Sequence, residues 1–295
     1  MNLNHIHTYH SEDLAIRASV VITTELVREI QKIQNSFPIA TIAMGRLVTG
    51  ALLMASGLAE KQQVSIRVHG DGPLGELSSD ASFESECRVY CAHPQTVVAP
   101  IAGRLPVGKA IGKGLLTITR FHEFHKHPQV SVVEIQSGEI AEDLSYYYQQ
   151  SHQVPSFVAL SVSMDKNGTI TAAGGIILEL MPGAPSILIS RLENRAKSGR
   201  PLSELISGGA NPLDLIKEYS HSDKLKENIH PYPVKYSCPC TLGRVERTLK
   251  LLGKASLAEM ILNGKPCEVK CQFCGRGYSV ELEALRRLHD DLVTN

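Results

Sequence analysis

Cys238-Pro-Cys240 and, beyond a spacer of 30 residues (241–270), Cys271-Gln-Phe-Cys274-Gly275 form two short chelating pairs near the end of the chain. A C-x-x-C followed by Gly is the form a zinc knuckle takes, because the backbone must turn tightly for its amides to point at the thiolates. Four soft sulfur donors select zinc in a tetrahedral, redox-silent site, with an iron–sulfur cluster as the alternative. An all-cysteine set leaves no open coordination position, so Cys238, Cys240, Cys271 and Cys274 point to a structural metal ion and not to zinc hydrolysis. Four unrelated buried thiols would be the bland alternative. It fits poorly, because the remaining cysteines of the seven are only Cys87, Cys91 and Cys267.

Working outward, the tail from Pro231 to Asn295 holds about 65 residues, too few to bury a secure core without help. Ser256-Leu-Ala-Glu259 is a capping-box pattern for a short helix, and Ser279 is placed to cap a last one with Leu282, Leu285, Leu288 and Leu292 on one face. A structural zinc contributes about 10–16 kcal/mol in small modules, against about 5–15 kcal/mol for the stability of a whole domain. Thiolates are also the oxidisable form of cysteine, and a neighbouring thiol captures a sulfenic acid at once. Oxidation is therefore expected to eject the metal and unfold the tail. Cys267 could compete as a ligand, but the C-x-x-C-Gly geometry favours Cys271 and Cys274 over it. Cys87 and Cys91, on one strand, would share a face about 13 Å apart and could not bridge each other.

Before the tail, Pro185 to Ile229 reads as helical pieces (Ile187–Ala196, Leu202–Ile206, Leu213–Tyr219) broken at Ser198-Gly-Arg-Pro201 and Ser207-Gly-Gly-Ala-Asn-Pro212. Such short helices must lean on something else. Residues 185–230 are read as a helical linker. Residues 1–184 mix strand and helix: Leu14–Ile22, Val64–Val68, Leu115–Ile118, Val130–Ile135, Phe157–Met164 and Thr169–Met181 read as strands, the last two joined by the Asp165-Lys-Asn-Gly168 turn. Thr24 is placed to cap a helix to Gln34, and Gly138–Gln150 reads as a helix with an acidic first turn.

The composition is that of a globular protein, with 43% hydrophobic and 20% charged residues. Thirty basic residues balance thirty acidic ones, so no bulk charge draws the chain to nucleic acid or to an anionic membrane. Pro38–Leu58 is the one candidate membrane span, but Arg46 at its middle, three glycines and its hydroxyls favour a helix buried in protein. The start of the chain has no secretory-signal pattern, and the expected compartment is the cytoplasm, where thiols stay reduced.

Other motifs carry weaker signals. Gly70-Asp-Gly-Pro-Leu-Gly75 matches G-x-G-x-x-G after a strand, but Pro73 and the polar run Ser78–Ser85 give no helix to bind a dinucleotide. Phe121-His-Glu-Phe-His-Lys-His127 offers His122, His125 and His127 as a metal patch, though histidines on a polar loop are more often solvated. Glu139, Glu142 and Asp143 could be acid–base groups, yet no nucleophile or base partners them, and a helix start is the simpler reading.

Taken together, Gly70–Gly75, Ser137-Gly-Glu-Ile-Ala-Glu-Asp-Leu144 with Tyr146 and Tyr147, Pro155-Ser156 with Val158–Leu160, Ala172-Ala-Gly-Gly175, Met181-Pro-Gly-Ala184 and the two cysteine pairs resemble the redox-regulated 33 kDa chaperonins, the heat shock protein 33 family. The resemblance spans nearly the whole chain. It implies an α+β core (1–184) for client binding and dimerisation, a metastable helical linker (185–230) and a small C-terminal α+β zinc domain (231–295). It implies a non-enzymatic, ATP-independent holdase, inactive when reduced and holding one Zn2+. Oxidation would join Cys238 to Cys240 and Cys271 to Cys274, release zinc, unfold the C-terminal region and expose a surface for unfolding client proteins; active forms would be homodimers. Cys267 and the histidine-rich segment depart from the family pattern.

Two rival readings follow from the residues. A zinc-ribbon nucleic-acid binder would bind RNA or DNA in a salt-dependent way, for which the balanced charge offers little support. A thiol oxidoreductase using Cys271 and Cys274 would need a βαβ context that the helical residues upstream do not supply.

Overall fold

Alternating apolar and polar runs give strands wherever one face can be buried, and in this protein they build two sheets around one long apolar helix. The computed structural model describes residues 3–11, 13–122, 127–185 and 187–292. In chain order the first elements are β1 (His5–Ser11), β2 (Ile16–Ile22), α1 (Thr24–Gln34), α2 (Pro38–Ala55), β3 (Gln63–Gly70), β4 (Glu76–Ser82), β5 (Glu86–Cys91) and α3 (Val107–Ile111). There follow β6 (Gly114–Phe121), β7 (Gln129–Glu134), α4 (Ala141–Tyr147, running into a π-turn at Tyr148–His152), β8 (Ser156–Met164) and β9 (Ile170–Leu180). Helices α5 (Leu188–Ser198), α6 (Leu202–Ser207) and α7 (Pro212–Ser220) precede β10 (Leu225–Pro233) and β11 (Lys235–Tyr236). The last elements are α8 (Leu242–Leu251), α9 (Lys254–Leu262), β12 (Cys267–Lys270), β13 (Gly277–Val280) and α10 (Leu282–Asp291). The chain is an α+β protein that divides into two compact units, Met1–Ser237 and Cys238–Asn295.

In the first unit, one sheet has the order β10-β1-β2-β9-β8 and the other β11-β5-β4-β3-β6-β7. Neighbouring strands are antiparallel except at β11 and β5, which pair in parallel at Lys235–Glu86 and Tyr236–Cys87. Helix α2 packs against both sheets, which explains why it is apolar on every side. It is long and apolar enough to cross a membrane by composition, but 89% of it is buried inside this unit. Its polar side chains turn inward: the Thr49 hydroxyl donates to the Gly45 carbonyl at 2.7 Å, and Arg46 pairs with Glu139, although Arg46 Nε is buried without a partner. On β9, Gly175 leaves room for Thr49 and Leu53 of α2 on one face, while Gly174 admits Ile206 of α6 on the other.

That second face of the β10-β1-β2-β9-β8 sheet is covered by α5–α7. Leu188, Leu192, Leu202, Leu205, Ile206, Leu215, Ile216 and Tyr219 form a buried cluster with Tyr9, Ala18, Val20, Phe157, Ala172, Ile176 and Leu178 of the sheet. Helix α7 begins as its residues dictate: the Asn211 side chain accepts from the Asp214 amide at 3.0 Å, Asp214 accepts from the Asn211 amide at 3.0 Å, and Pro212 occupies the first turn.

Several local expectations are corrected. Thr24 is the first helical residue and not the cap; its hydroxyl bonds the Ala173 backbone of β9, and Thr23 occupies the cap position. Ser256 lies inside α9, where its hydroxyl donates back to Leu252, and Gly253 precedes the helix. Ser279 belongs to β13, and α10 starts after Glu281. The helix expected from Gly138 starts at Ala141, because Ile140 sits at φ +69°. Residues 225–229, expected at the end of a helical segment, run as an edge strand against β1.

Gly70-Asp-Gly-Pro-Leu-Gly75 is a backbone junction. A Cβ on Gly70 would come within 1.9 Å of the Ile111 carbonyl oxygen, and one on Gly72 within 2.4 Å of that of Ala110. The Asp71 carboxylate accepts from the Lys113 amide at 2.7 Å. The glycines admit the α3–β6 connection, which occupies the place a cofactor phosphate would need.

Candidate metal centre

The second unit has little to hold it together. Its buried apolar core consists of Leu249, Leu257, Val280, Ala284 and Leu285, while Leu251 and Leu262 are fully turned out to solvent. A core of that size offsets only part of the conformational entropy of the residues it orders. The cysteines supply a second centre of cohesion. Cys238 and Cys240 stand just before α8, whose Thr241 side chain caps it by accepting from the Arg244 amide at 3.3 Å. Cys271 and Cys274 lie in the turn between β12 and β13, where the Gly275 amide donates to the Cys271 carbonyl at 2.8 Å. Gly275 adopts φ +70°, which glycine takes without strain, and this closes the knuckle.

The side-chain atoms of Cys238, Cys240, Cys271 and Cys274 all lie within 4.8 Å of one another. Cys238 Sγ is 3.7 Å from Cys271 Sγ, and Cys240 Sγ is 3.2 Å from Cys274 Sγ. A tetrahedral S4 site with metal–sulfur bonds of ~2.3 Å requires sulfur–sulfur separations of ~3.8 Å. The donors thus fit one metal ion of that kind. Among the described residues, no other group of three or more histidine, cysteine or carboxylate donors is gathered in this way.

Electrostatics bear on the same point. Burial would raise the Cys240 thiol, but hydrogen bonding from Tyr278 and contacts with Cys274, Cys238 and Cys271 outweigh it and bring it down to about 7. Burial and the neighbouring thiols push Cys274 up to about 12, and burial raises Cys238. The Cys240 thiolate is stabilised in this cluster, while Cys238 and Cys274 resist ionisation unless a cation at the centre compensates the added charge.

Tyr278 touches the cysteine cluster, and no motif announces it. From β13 its hydroxyl donates to the Cys240 carbonyl at 2.9 Å and lies 3.1 Å from Cys240 Sγ. The only sequence signal is an aromatic residue with a polar tip just beyond a knuckle glycine. Cys267 pairs with Val280 across the β12–β13 hairpin, packs against the small core and lies outside the group of four.

The remaining candidates find other roles. Cys87 and Cys91 are buried on the same face of β5. Glu139 pairs with Arg46 and accepts from the Gly108 amide at 3.0 Å. Asp143, buried, accepts from the backbone amides of Gln136, Ser137, Gly138 and Ile140. These carboxylates organise a loop. His125 lies outside the described residues, and His122 and His127 flank that gap.

Comparison with known proteins agrees with this architecture. A family model described as Hsp33 protein matches residues 4–281. A 33 kDa chaperonin of Desulforamulus reducens is 39% identical over 267 residues, covering 90% of each chain. One from Staphylococcus aureus is 36% identical over 293 residues, covering 97% of this chain and 99% of the relative. The crystal structure of a 33 kDa chaperonin, a heat shock protein 33 homologue from Thermotoga maritima, matches with a TM-score of 0.84 at 30% identity, over 99% of this chain and 100% of that one. Relatives at this level, matched end to end and all named chaperonins, support a chaperone role. The chain belongs to the Hsp33 family.

Proposed function

We propose that this protein is a redox-regulated, ATP-independent holdase of the cytoplasm whose reduced form binds one zinc ion through Cys238, Cys240, Cys271 and Cys274 and is inactive. The observation that carries this reading is the convergence of four sulfurs within 4.8 Å in a unit whose own buried core is five residues. When bound, zinc supplies cohesion and keeps its ligands as thiolates. Those thiolates are what peroxide or hypochlorous acid attacks: each within-motif pair loses two electrons to the oxidant and closes a disulfide, Cys238 with Cys240 and Cys271 with Cys274. Disulfides over such short loops restrict the unfolded chain too little to replace the metal. The C-terminal unit then unfolds.

The linker, residues 185–230, is the next element to go. Its helices are short, and they stay folded because Leu192, Leu205 and Ile216 are buried on a sheet face. Their release would uncover two apolar surfaces, the helices' own and the sheet's Tyr9, Val20, Phe157 and Ile176. A contiguous apolar surface of that kind binds unfolding chains without chemistry or nucleotide. The active form is a homodimer, and neither nucleic acid nor membrane is a partner.

The test compares aggregation of a chemically denatured model protein with and without this chain, reduced and zinc-loaded or peroxide-treated. Suppression by the oxidised form alone is the expected result. Equal suppression by the reduced form defeats the switch.

A further inference from the structure

Strand β10 leads from α5–α7 toward the metal-binding unit, yet it buries little: only His230 is buried and Leu225 partly so. A strand with so small an apolar face is held by its backbone ladder to β1 and by side-chain bonds. Those bonds converge on ionisable groups. The Glu227 carboxylate accepts from the Tyr9 hydroxyl at 2.6 Å and lies 2.8 Å from His7 Nδ1. Just ahead of the strand, the Ser222 hydroxyl donates to Asp13 at 2.9 Å, and the Ser11 hydroxyl donates to the same oxygen. Toward the far end, His230 Nδ1 lies 3.3 Å from the Ser85 hydroxyl, with the Phe83 ring 4.8 Å away edge-on and the Tyr232 ring at 6.0 Å. His230 Nε2 is buried and has no hydrogen-bond partner. An imidazolium has two N–H groups to satisfy, so this setting accepts the neutral ring and penalises the charged one.

We infer that β10 is an acid-released strap: protonation at His230, and at lower pH of Glu227 and Asp13, frees it from β1 and loosens the C-terminal anchorage of the linker helices with all cysteines still reduced. This stands apart from the oxidative reading, since it requires no thiol chemistry.

The charged groups around each site leave the sign unchanged. Burial holds the His230 ring below the usual histidine range; it outweighs a backbone contact at Tyr232 and the charge of Glu84 on the β4–β5 turn, which favour the charged ring, and His5 of β1 adds to the penalty. The Tyr9 hydroxyl, then His7, holds Glu227 below the usual carboxylate range. The Ser11 and Ser222 hydroxyls, with a smaller contribution from Lys224, do the same for Asp13. Each group therefore takes up a proton more readily in the released strand, and acid favours release. The histidine contribution is complete above the free-chain value of about 6.5 and declines below it; the carboxylate contributions are lost further down, as pH falls through their folded values.

Hydrogen exchange of the full-length, reduced, zinc-loaded protein tests this, with zinc content measured on the same samples. Between about pH 7.5 and about pH 5.5, protection of amides in 225–233 should fall about tenfold or more after correction for intrinsic exchange, while α2 keeps its protection. His230→Phe, which the Phe83 and Tyr232 rings can receive, should abolish the early part of that fall. Glu227→Gln, at a partly exposed position where folding is not at risk, should leave the early part and weaken protection already at neutral pH. Unchanged protection in the parent overturns the strap, as does an equal fall in His230→Phe, a fall that only follows zinc loss, or a Glu227→Gln protein that behaves as the parent throughout.

Discussion

Cys240 Sγ and Cys274 Sγ lie 3.2 Å apart, a contact that runs between the two cysteine motifs and not within either. Cys238 and Cys271 meet in the same crossed sense at 3.7 Å. Disulfides closed inside the folded unit by proximity would therefore join Cys240 to Cys274 and Cys238 to Cys271. Disulfides closed as oxidation loosens the cluster, before the rest of the unit unfolds, are governed by loop length, which favours the shortest loops, Cys238–Cys240 and Cys271–Cys274. The proposed mechanism requires the second outcome. Peptide mapping of the peroxide-treated protein should recover within-motif pairs. A majority of crossed pairs would show that oxidation locks the unit shut.

Tyr278 touches the sulfur cluster without being a donor of the set. Its hydroxyl supports Cys240 at both the carbonyl and the sulfur. Outer contacts of this kind orient ligands, and their loss typically weakens metal binding ~10–100-fold. Tyr278→Phe keeps the ring and should weaken zinc binding by about tenfold, read by competition with a chromophoric chelator. An affinity equal to that of the parent removes Tyr278 from the site.

What could be read from residues alone was the gathering of four cysteines, and the reason is local. Chelation needs ligands a few residues apart, so Cys238-Pro-Cys240 and Cys271-Gln-Phe-Cys274 are visible without knowing the fold. Helix α7 was equally legible, because Asn211, Pro212 and Asp214 carry their capping within four residues. Strand β10 was not. Its sequence Leu-Lys-Glu-Asn-Ile-His-Pro-Tyr-Pro lacks apolar alternation, and two prolines suit only an edge; what makes it a strand is β1, far away in sequence. Strand β4 was hidden for a related reason, since Ser78 and Ser79 are polar yet buried. Asp143 reads as part of a helix start, and what the letters could not show is that its buried carboxylate gathers four backbone amides.

Those four amides set up a stability prediction. Asp143→Asn preserves volume but turns one accepting oxygen into a donor facing backbone N–H groups. Loss of a buried, charge-assisted acceptor costs about 2–3 kcal/mol. The urea midpoint of the first unit should fall accordingly in equilibrium unfolding. A change below about 0.5 kcal/mol, the level of an ordinary surface substitution, contradicts the structural role given to this carboxylate.

Cys87 and Cys91 should be silent toward oxidants while the protein is reduced and metal-loaded. Burial pushes the Cys91 thiol up to about 11 and the Cys87 thiol higher still. Their sulfurs donate to the carbonyls of Leu74 and Lys235, so at neutral pH they are thiols, and the thiol is not the nucleophile. The same shifts give a pH dependence: their contribution to stability is complete below the free-chain value of about 8.5 and is lost as pH rises toward the folded values. The first unit should therefore weaken in alkali. Cys87 carries a second expectation, because β11 lies along it, with the Ser237 amide donating to the Cys87 carbonyl at 2.8 Å. If unfolding of the C-terminal unit draws β11 away, Cys87 becomes accessible only afterward. Alkylation followed by mass spectrometry over a peroxide time course should show zinc release first and Cys87 labelling later, with Cys91 slow throughout. Labelling of Cys87 in the zinc-loaded protein as fast as that of Cys267 would mean that β11 does not shield it.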